Sequence, residues 1–145
     1  MRLINKKKVR LMKTSDFTLL IAEDNPSELK IYQKALSLEG YKLILVESGS
    51  RMLAELSDTP VNLLITDLKM GPISGLDALS IVQQKYPALP VIVISGYYKE
   101  MVGNFNEKVI KIENFFQKPV NMKILKEKIR EILKIGEGEK VAAKK

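Results

Sequence analysis

The feature that most constrains this sequence is a regular alternation of short, apolar, β-branched runs with longer stretches of helical period, from residue 17 to residue 135. Such alternation is typical of βα units, in which helices join parallel strands. Three of the runs are apolar on both faces, which predicts a sheet covered by helices on both sides. We therefore predict a doubly wound α/β fold, a five-stranded parallel sheet with helices on both faces. The predicted strands are 18–22, 42–46, 63–66, 91–95 and 114–117.

Residues that cap or break helices predict where the helices lie. The first helix is predicted to begin at Asn25–Pro26, an N-cap followed by a first-turn proline, and to run to Glu39, before Gly40. A helix between the fourth and fifth strands is expected to be short or displaced, because glycine and asparagine interrupt its pattern. The other predicted helices are 49–56, 75–86, part of 97–111, and 121–133.

The chain contains neither cysteine nor histidine. The first absence excludes disulfides and thiolate metal sites, and the second excludes histidine bases, histidine ligands and phosphohistidine on this chain. With 145 residues, of which 46% are hydrophobic and 28% charged, one globular domain is expected. We expect a cytoplasmic location, since there is neither an apolar run that could span a bilayer nor a secretory signal.

The net charge of +7 is concentrated at the amino terminus, where residues 1–16 carry six Lys or Arg side chains and one Asp. We interpret 1–16 as a basic extension, expected to be disordered, 17–135 as the folded domain, and 136–145 as a polar tail. A basic extension can bind nucleic acid, but no helix-turn-helix signature or basic aromatic strand strongly supports such a partner. We expect no membrane partner.

Polar side chains follow the predicted strands at the edge where ligands bind in open α/β folds. Glu23 and Asp24 follow the first strand, Asp67 the third and Lys118 the fifth, while Ser95 ends the fourth. Each alone could be a cap, a turn residue or a solvated charge. Three carboxylates in one crevice repel each other, however, and Mg²⁺ would hold them together. We predict Asp24 and Asp67 as direct ligands and Glu23 as a ligand through water.

The same residues supply the parts that phosphoryl transfer requires. Asp67 would be the nucleophile and would form an acyl phosphate. Lys118 would pair with Asp67 and then with a phosphoryl oxygen, because a lysine ammonium is a compact, mobile charge. Ser95 would donate a hydrogen bond to another phosphoryl oxygen. The residues thus predict a phosphoacceptor site.

Four segments in this order resemble the receiver domain of two-component response regulators, and of the chemotaxis receivers among them. They are EDNP at 23–26, DLKMGPISG at 67–75, SG at 95–96 and FFQKP at 115–119. The resemblance covers residues 17–135, and its specificity lies in the ordered spacing of 43, 28 and 23 residues between the four functional positions. It implies the flavodoxin-like strand order 2-1-3-4-5.

The resemblance also implies roles for single residues. Asp67 matches the phosphoacceptor, the two acidic residues after the first strand match the metal-binding pair, and the backbone carbonyl of Lys69 matches a further metal ligand. Lys118 matches the phosphate-binding lysine, and the peptide bond after it would be cis. Ser95 and Phe115 match the switch hydroxyl and the switch aromatic. Phosphorylation would draw Ser95 toward the phosphate and turn Phe115 inward, which changes the protein surface.

A chain without histidine needs a phosphoryl donor in trans, so the implied partners are a sensor histidine kinase or phosphotransfer protein and a downstream protein or output domain. One alternative is a degenerate receiver that binds proteins without phosphorylation. Another is a phosphatase or mutase of the haloacid dehalogenase type. That class needs an acid two positions after the nucleophile, where this chain has Lys69, so we expect no multiple-turnover enzyme. Both a stand-alone receiver and part of a longer regulator fit the sequence.

Overall fold

A computed structural model describes residues 12–70, 75–96 and 114–135, and within them five strands form one parallel sheet. The first four strands have the predicted bounds. The fifth begins one residue later than predicted, because its pairing with the fourth strand starts at Phe115, which lies beside Val93. The strands are β1 (Thr18–Ala22), β2 (Lys42–Val46), β3 (Leu63–Thr66), β4 (Val91–Ser95) and β5 (Phe115–Gln117).

The strand order is β2-β1-β3-β4-β5, which confirms the doubly wound, flavodoxin-like topology. Ala22 at the end of β1 lies beside Thr66 at the end of β3. The residues that follow, Glu23 and Asp67, therefore leave the sheet side by side. This register is what brings residues far apart in the sequence to one edge of the sheet.

Four α-helices lie in the described residues: α1 (Pro26–Leu38), α2 (Gly49–Asp58), α3 (Gly75–Lys85) and α4 (Met122–Leu133). The helix predicted within 97–111 lies outside the described residues. The bounds of α1, α3 and α4 agree with prediction to within one residue. The exception is α2, which continues two residues beyond the predicted end because Thr59 still donates its N–H to the carbonyl of Glu55.

Capping residues explain how α1 begins and ends. The side-chain oxygen of Asn25 accepts hydrogen bonds from the N–H groups of Ser27 (3.0 Å) and Glu28 (3.2 Å), which would otherwise lack a partner. At the other end Gly40 has a φ of 103°, a conformation that L-residues with a side chain rarely adopt. The helix is thus held directly after the acidic residues that follow β1.

The sheet is covered on both faces, as the apolar strands predict. On one face, alternate strand residues such as Leu20, Leu64 and Val93 pack against α2 and α3. On the other face, the intervening residues pack against α1 and α4, and Leu125 and Ile129 of α4 are fully buried there. Burial of each such side chain contributes about 1.5–3 kcal/mol to the free energy of folding. This core therefore fixes the positions of the residues at the carboxyl ends of the strands.

Residues 12–16, which belong to the predicted extension, include one turn of 3-10 helix (Thr14–Asp16). The hydroxyl of Thr14 donates to the carbonyl of Glu39 (2.6 Å), so this turn contacts the end of α1. The predicted boundaries of the extension and the tail stay predictions. No helix in the described part of the chain is long and apolar enough to cross a bilayer.

Candidate functional site at the carboxyl ends of the strands

Asp67 is a buried carboxylate whose position is set by the end of the sheet. It follows β3 and is 6% exposed. Its backbone N–H donates to the carbonyl of Ala22 at the end of β1 (3.1 Å). Its Oδ1 accepts a hydrogen bond from the backbone N–H of Lys69 (3.0 Å), and its Oδ2 accepts one from Nζ of Lys118 (2.7 Å). Donors therefore orient both oxygens of this carboxylate.

The three predicted carboxylates come together at this edge. One oxygen from each of Glu23, Asp24 and Asp67 lies within 4.8 Å of the other two. Glu23 is 2% exposed, whereas Asp24 is open to solvent. Carboxylate oxygens at this separation suit a hard divalent cation, which neutralises their repulsion and tolerates one open side. The cluster could hold a metal ion.

Glu23 is the carboxylate of this cluster whose pKa is raised. Burial raises the pKa of its carboxyl above the usual value of 4.5, and the nearby charge of Asp67 acts in the same direction. Hydrogen bonds from Nζ of Lys118 (2.9 Å) and from the N–H of Asn25 (3.1 Å) act against that rise but do not cancel it. A cation at this edge would favour the ionised form of Glu23.

Lys118 follows β5 and faces three carboxylates. Its Nζ lies 2.7 Å from Oδ2 of Asp67 and 2.9 Å from Oε1 of both Glu23 and Glu28. Burial lowers the pKa of the Lys118 ammonium, but the hydrogen bonds to these carboxylates outweigh burial, so the pKa lies above its usual value. The side chain is therefore a stable cation beside the acidic cluster. The Lys118–Pro119 peptide bond is cis, as the resemblance implies.

Glu28 is a residue of the site that the sequence analysis did not predict. It lies in the first turn of α1, and its side chain is 32% exposed. A signal was available in the sequence. Asn25 caps α1 immediately after the acidic pair, so the first turn of this helix starts at the same edge, and an acidic residue there can reach the site.

Ser95 and Phe115 lie on the neighbouring strands β4 and β5. Ser95 ends β4 and is fully buried, and its carbonyl accepts a hydrogen bond from the backbone N–H of Lys118 (2.9 Å). Phe115 begins β5 and is partly buried against the core cluster that α2 and α3 cover. These positions are compatible with the predicted switch. The switch roles, and the metal contact predicted for the carbonyl of Lys69, stay predictions.

Residues 19–130 match the family model of the response regulator receiver domain. The chain belongs to the response regulator receiver family. Its fold and the ordered acidic, hydroxyl and lysine positions agree with that membership, and the predicted resemblance is confirmed.

The receiver domain resembles segments of longer curated proteins. It is 32% identical over 117 residues to the transcriptional regulatory protein GlrR of Escherichia coli (strain K12), a match that covers 79% of this chain and 26% of GlrR. It is 30% identical over 118 residues to a cyclic di-GMP phosphodiesterase of Thermotoga maritima, covering 81% of this chain and 31% of that protein. The chain thus spans less than a third of either relative, and their activities are not carried over to it.

Solved structures show the same fold. The response regulator receiver domain protein (CheY-like) of Methanospirillum hungatei JF-1 is 27% identical, with a TM-score of 0.74, and the match covers 86% of this chain and 97% of that one. The response regulator protein TrrA of Thermotoga maritima, in complex with Mg²⁺ and BeF, is 24% identical with a TM-score of 0.72, covering 83% and 99%. At that identity, the second match supports the fold alone.

Proposed function

We propose that this receiver domain accepts a phosphoryl group on Asp67 from a sensor histidine kinase or phosphotransfer protein, with Mg²⁺ bound, and signals by a change of conformation. The observation that carries the proposal is the 2.7 Å contact between Nζ of Lys118 and Oδ2 of Asp67. It lies within a cluster of carboxylate oxygens no more than 4.8 Å apart. A nucleophile, a cation for phosphoryl oxygens and a candidate metal site therefore meet at one edge of the sheet.

The proposed reaction is in-line attack of an Asp67 carboxylate oxygen on the phosphorus of a phosphohistidine. A P–O bond forms while the P–N bond breaks, and the departing imidazole keeps the electron pair and takes up a proton. The product is an acyl phosphate. Because these 145 residues contain no histidine, the phosphohistidine lies outside them.

We propose that Asp24 and Asp67 hold Mg²⁺ directly, that Glu23 contacts it through water, and that the carbonyl of Lys69 is a further ligand. The donor set supports this assignment, because these are hard oxygen ligands and Mg²⁺ prefers them. Bound there, the ion would neutralise charge on the phosphoryl oxygens. TrrA, which shares the fold, is a complex with Mg²⁺ and BeF, and BeF resembles a phosphoryl group.

The remaining residues would bind the product and report it. Lys118 would donate to a phosphoryl oxygen once Asp67 is modified, since its ammonium already lies 2.7 Å from the nucleophile. Ser95 would donate its hydroxyl to another phosphoryl oxygen, and Phe115 would turn inward. The new charge thus biases one of two conformations that differ little in free energy.

We propose a signalling role rather than turnover of foreign phosphate esters. An aspartyl-phosphate phosphatase needs a second acid two positions after the nucleophile, and Lys69 occupies that position. The expected downstream partner is another protein or an output domain that recognises the phosphorylated conformation.

Intact-mass measurement after incubation with acetyl phosphate and Mg²⁺ tests the proposal. The wild-type protein should gain one phosphoryl group, and Asp67→Asn should gain none. Asp58→Asn is a matched control, because Asp58 is an exposed aspartate at the far end of α2 and should be modified like wild type. A wild-type protein that gains no mass would support the degenerate receiver, which binds partners without phosphorylation.

A further inference from the structure

We propose that Glu28 holds Lys118 in the unphosphorylated receiver and is displaced from it when Asp67 is phosphorylated. The inference rests on the proposed function and adds to it a competing carboxylate, which sets how readily the site accepts a phosphoryl group. Glu28 is thus a positioning residue that acts through Lys118.

Lys118 has a limited number of hydrogen-bond donors. An ammonium has three N–H groups, and Nζ lies within 2.9 Å of three carboxylates, those of Asp67, Glu23 and Glu28. All three donors are therefore used before any phosphoryl group arrives. A phosphoryl oxygen that binds Lys118 must take the place of one of these carboxylates.

The three carboxylates differ in the free-energy cost of releasing Lys118. Glu23 is 2% exposed, and its other oxygen accepts from the N–H of Asn25, so its release would leave a buried charge without its ammonium. Phosphorylation converts the Asp67 carboxylate to an acyl phosphate and frees the donor that it held, but a second phosphoryl oxygen needs a second donor from Lys118. Glu28 has a side chain that is 32% exposed, so water can replace Lys118 as its partner.

The negative charge of the phosphoryl group also favours release of Glu28. A phosphoryl group on Asp67 adds negative charge to an edge where Glu23 and Glu28 contact one ammonium and an Asp24 oxygen lies within 4.8 Å of one of Glu23. Repulsion then acts on each carboxylate in the cluster, and it moves the one with access to solvent. Displacement of Glu28 therefore relieves both the shortage of donors and the excess of negative charge.

The displacement reaches the surface of the protein beside the site. Glu28, Ile31, Tyr32 and Met122 line a groove of about 170 Å³ together with Lys118 and residues that follow it. A released Glu28 changes the charge at the edge of this groove. The phosphorylation state of Asp67 is thereby communicated to the outer face of α1, separately from the predicted Ser95 and Phe115 switch.

The experiment compares wild type with Glu28→Gln, which keeps the size of the side chain and removes its charge. Beryllofluoride serves as the phosphoryl mimic at saturating Mg²⁺. The urea midpoint of unfolding is measured at increasing beryllofluoride concentrations, and the concentration that gives half of the maximal change is compared between the proteins. We expect that concentration to fall about two- to tenfold in Glu28→Gln, the range for loss of one partly exposed ion pair. Glu127→Gln, on the exposed side of α4, is the matched control and should behave like wild type.

The urea midpoints separate displacement from simple repulsion. If Glu28 holds Lys118, Glu28→Gln lowers the midpoint of the free protein and leaves that of the beryllofluoride complex equal to wild type. If Glu28 only repels the neighbouring carboxylates, the variant raises the midpoint of the free protein, and the proposal is wrong. Unchanged or weaker beryllofluoride binding by the variant also overturns it. A wild-type protein without any beryllofluoride response overturns the proposed function and this inference together.

Discussion

Nζ of Lys118 lies 2.7 Å from Oδ2 of Asp67, a contact between residues that follow β5 and β3. The strand between them is β4, so the contact crosses one strand of the sheet. It links the proposed nucleophile to the cation that would bind its product.

Loss of the Lys118 ammonium should slow phosphorylation strongly. We expect Lys118→Met to reduce the rate of labelling by acetyl phosphate about 10²-fold or more, because a donor aimed at developing phosphoryl charge is removed. Lys118→Arg keeps the charge in a different geometry and should be affected less. The measurement is a time course of intact mass at saturating Mg²⁺. Equal rates for Lys118→Met and wild type would contradict this role.

Removal of one carboxylate from the cluster should stabilise the metal-free protein and abolish its response to metal. Asp24→Asn relieves repulsion with Glu23 and Asp67. We therefore expect the free energy of unfolding in EDTA to be about 0.5 kcal/mol higher in the variant than in wild type. Addition of Mg²⁺ should then raise the melting temperature of wild type but not of the variant. Asp58→Asn, remote from the site, should respond like wild type. A variant that is still stabilised by Mg²⁺ would argue against Asp24 as a ligand.

The raised pKa of Glu23 predicts a pH dependence of stability. Between pH 4.5, its usual pKa, and its higher value in the folded state, the folded protein binds more protons than the unfolded chain. The contribution of Glu23 to stability therefore decreases as the pH rises through that window. We expect the stability of Glu23→Gln, relative to wild type, to increase from about pH 4 to about pH 7 in metal-free buffer. Urea unfolding at several pH values measures the difference in stability between Glu23→Gln and wild type. A difference that stays constant with pH would refute the raised pKa of Glu23.

A buried hydroxyl predicts a stabilising substitution away from the site. Within residues 12–70, 75–96 and 114–135, Oη of Tyr41 is a buried side-chain oxygen without a hydrogen-bond partner, and burial raises the pKa of Tyr41 to about 12. Tyr41→Phe removes an unpaired polar atom, so we expect about 1 kcal/mol of added stability in thermal or urea unfolding. Tyr86→Phe is the control, because Tyr86 is only partly buried and should change little. A destabilised Tyr41→Phe would show that the hydroxyl has a partner in solution.

Much of the fold could be predicted because its local signals agree with its tertiary contacts. The runs that became β1, β3 and β4 are buried at every position except Thr18 at the start of β1, so the apolar pattern of the sequence and the observed burial agree. The strand order came from the family resemblance, since the sequence itself does not show which strands are neighbours. The end of α2 was placed two residues early, because Ser57 and Asp58 continue the helix on its exposed face, where no apolar pattern marks them.

The candidate site was predicted where position along a strand determines position in space. Glu23, Asp67 and Lys118 each follow a strand, and parallel strands end at one edge. Glu28 was missed because it lies in the first turn of α1 rather than at the end of a strand, and its contact with Lys118 joins residues 90 positions apart. The signal for its position was the Asn25 cap, which places the first turn of α1 at the same edge as the acidic pair.

The central claim is that Asp67 is the residue that carries the phosphoryl group. After labelling with acetyl phosphate and Mg²⁺, borohydride reduction converts an aspartyl phosphate to homoserine, and peptide mass spectrometry locates the change. Our account predicts homoserine at position 67 in wild type and at no position in Asp67→Asn. Homoserine at position 24, or reduction of Glu23 to the corresponding alcohol, would contradict this claim. A phosphoryl group that resists reduction would also contradict it.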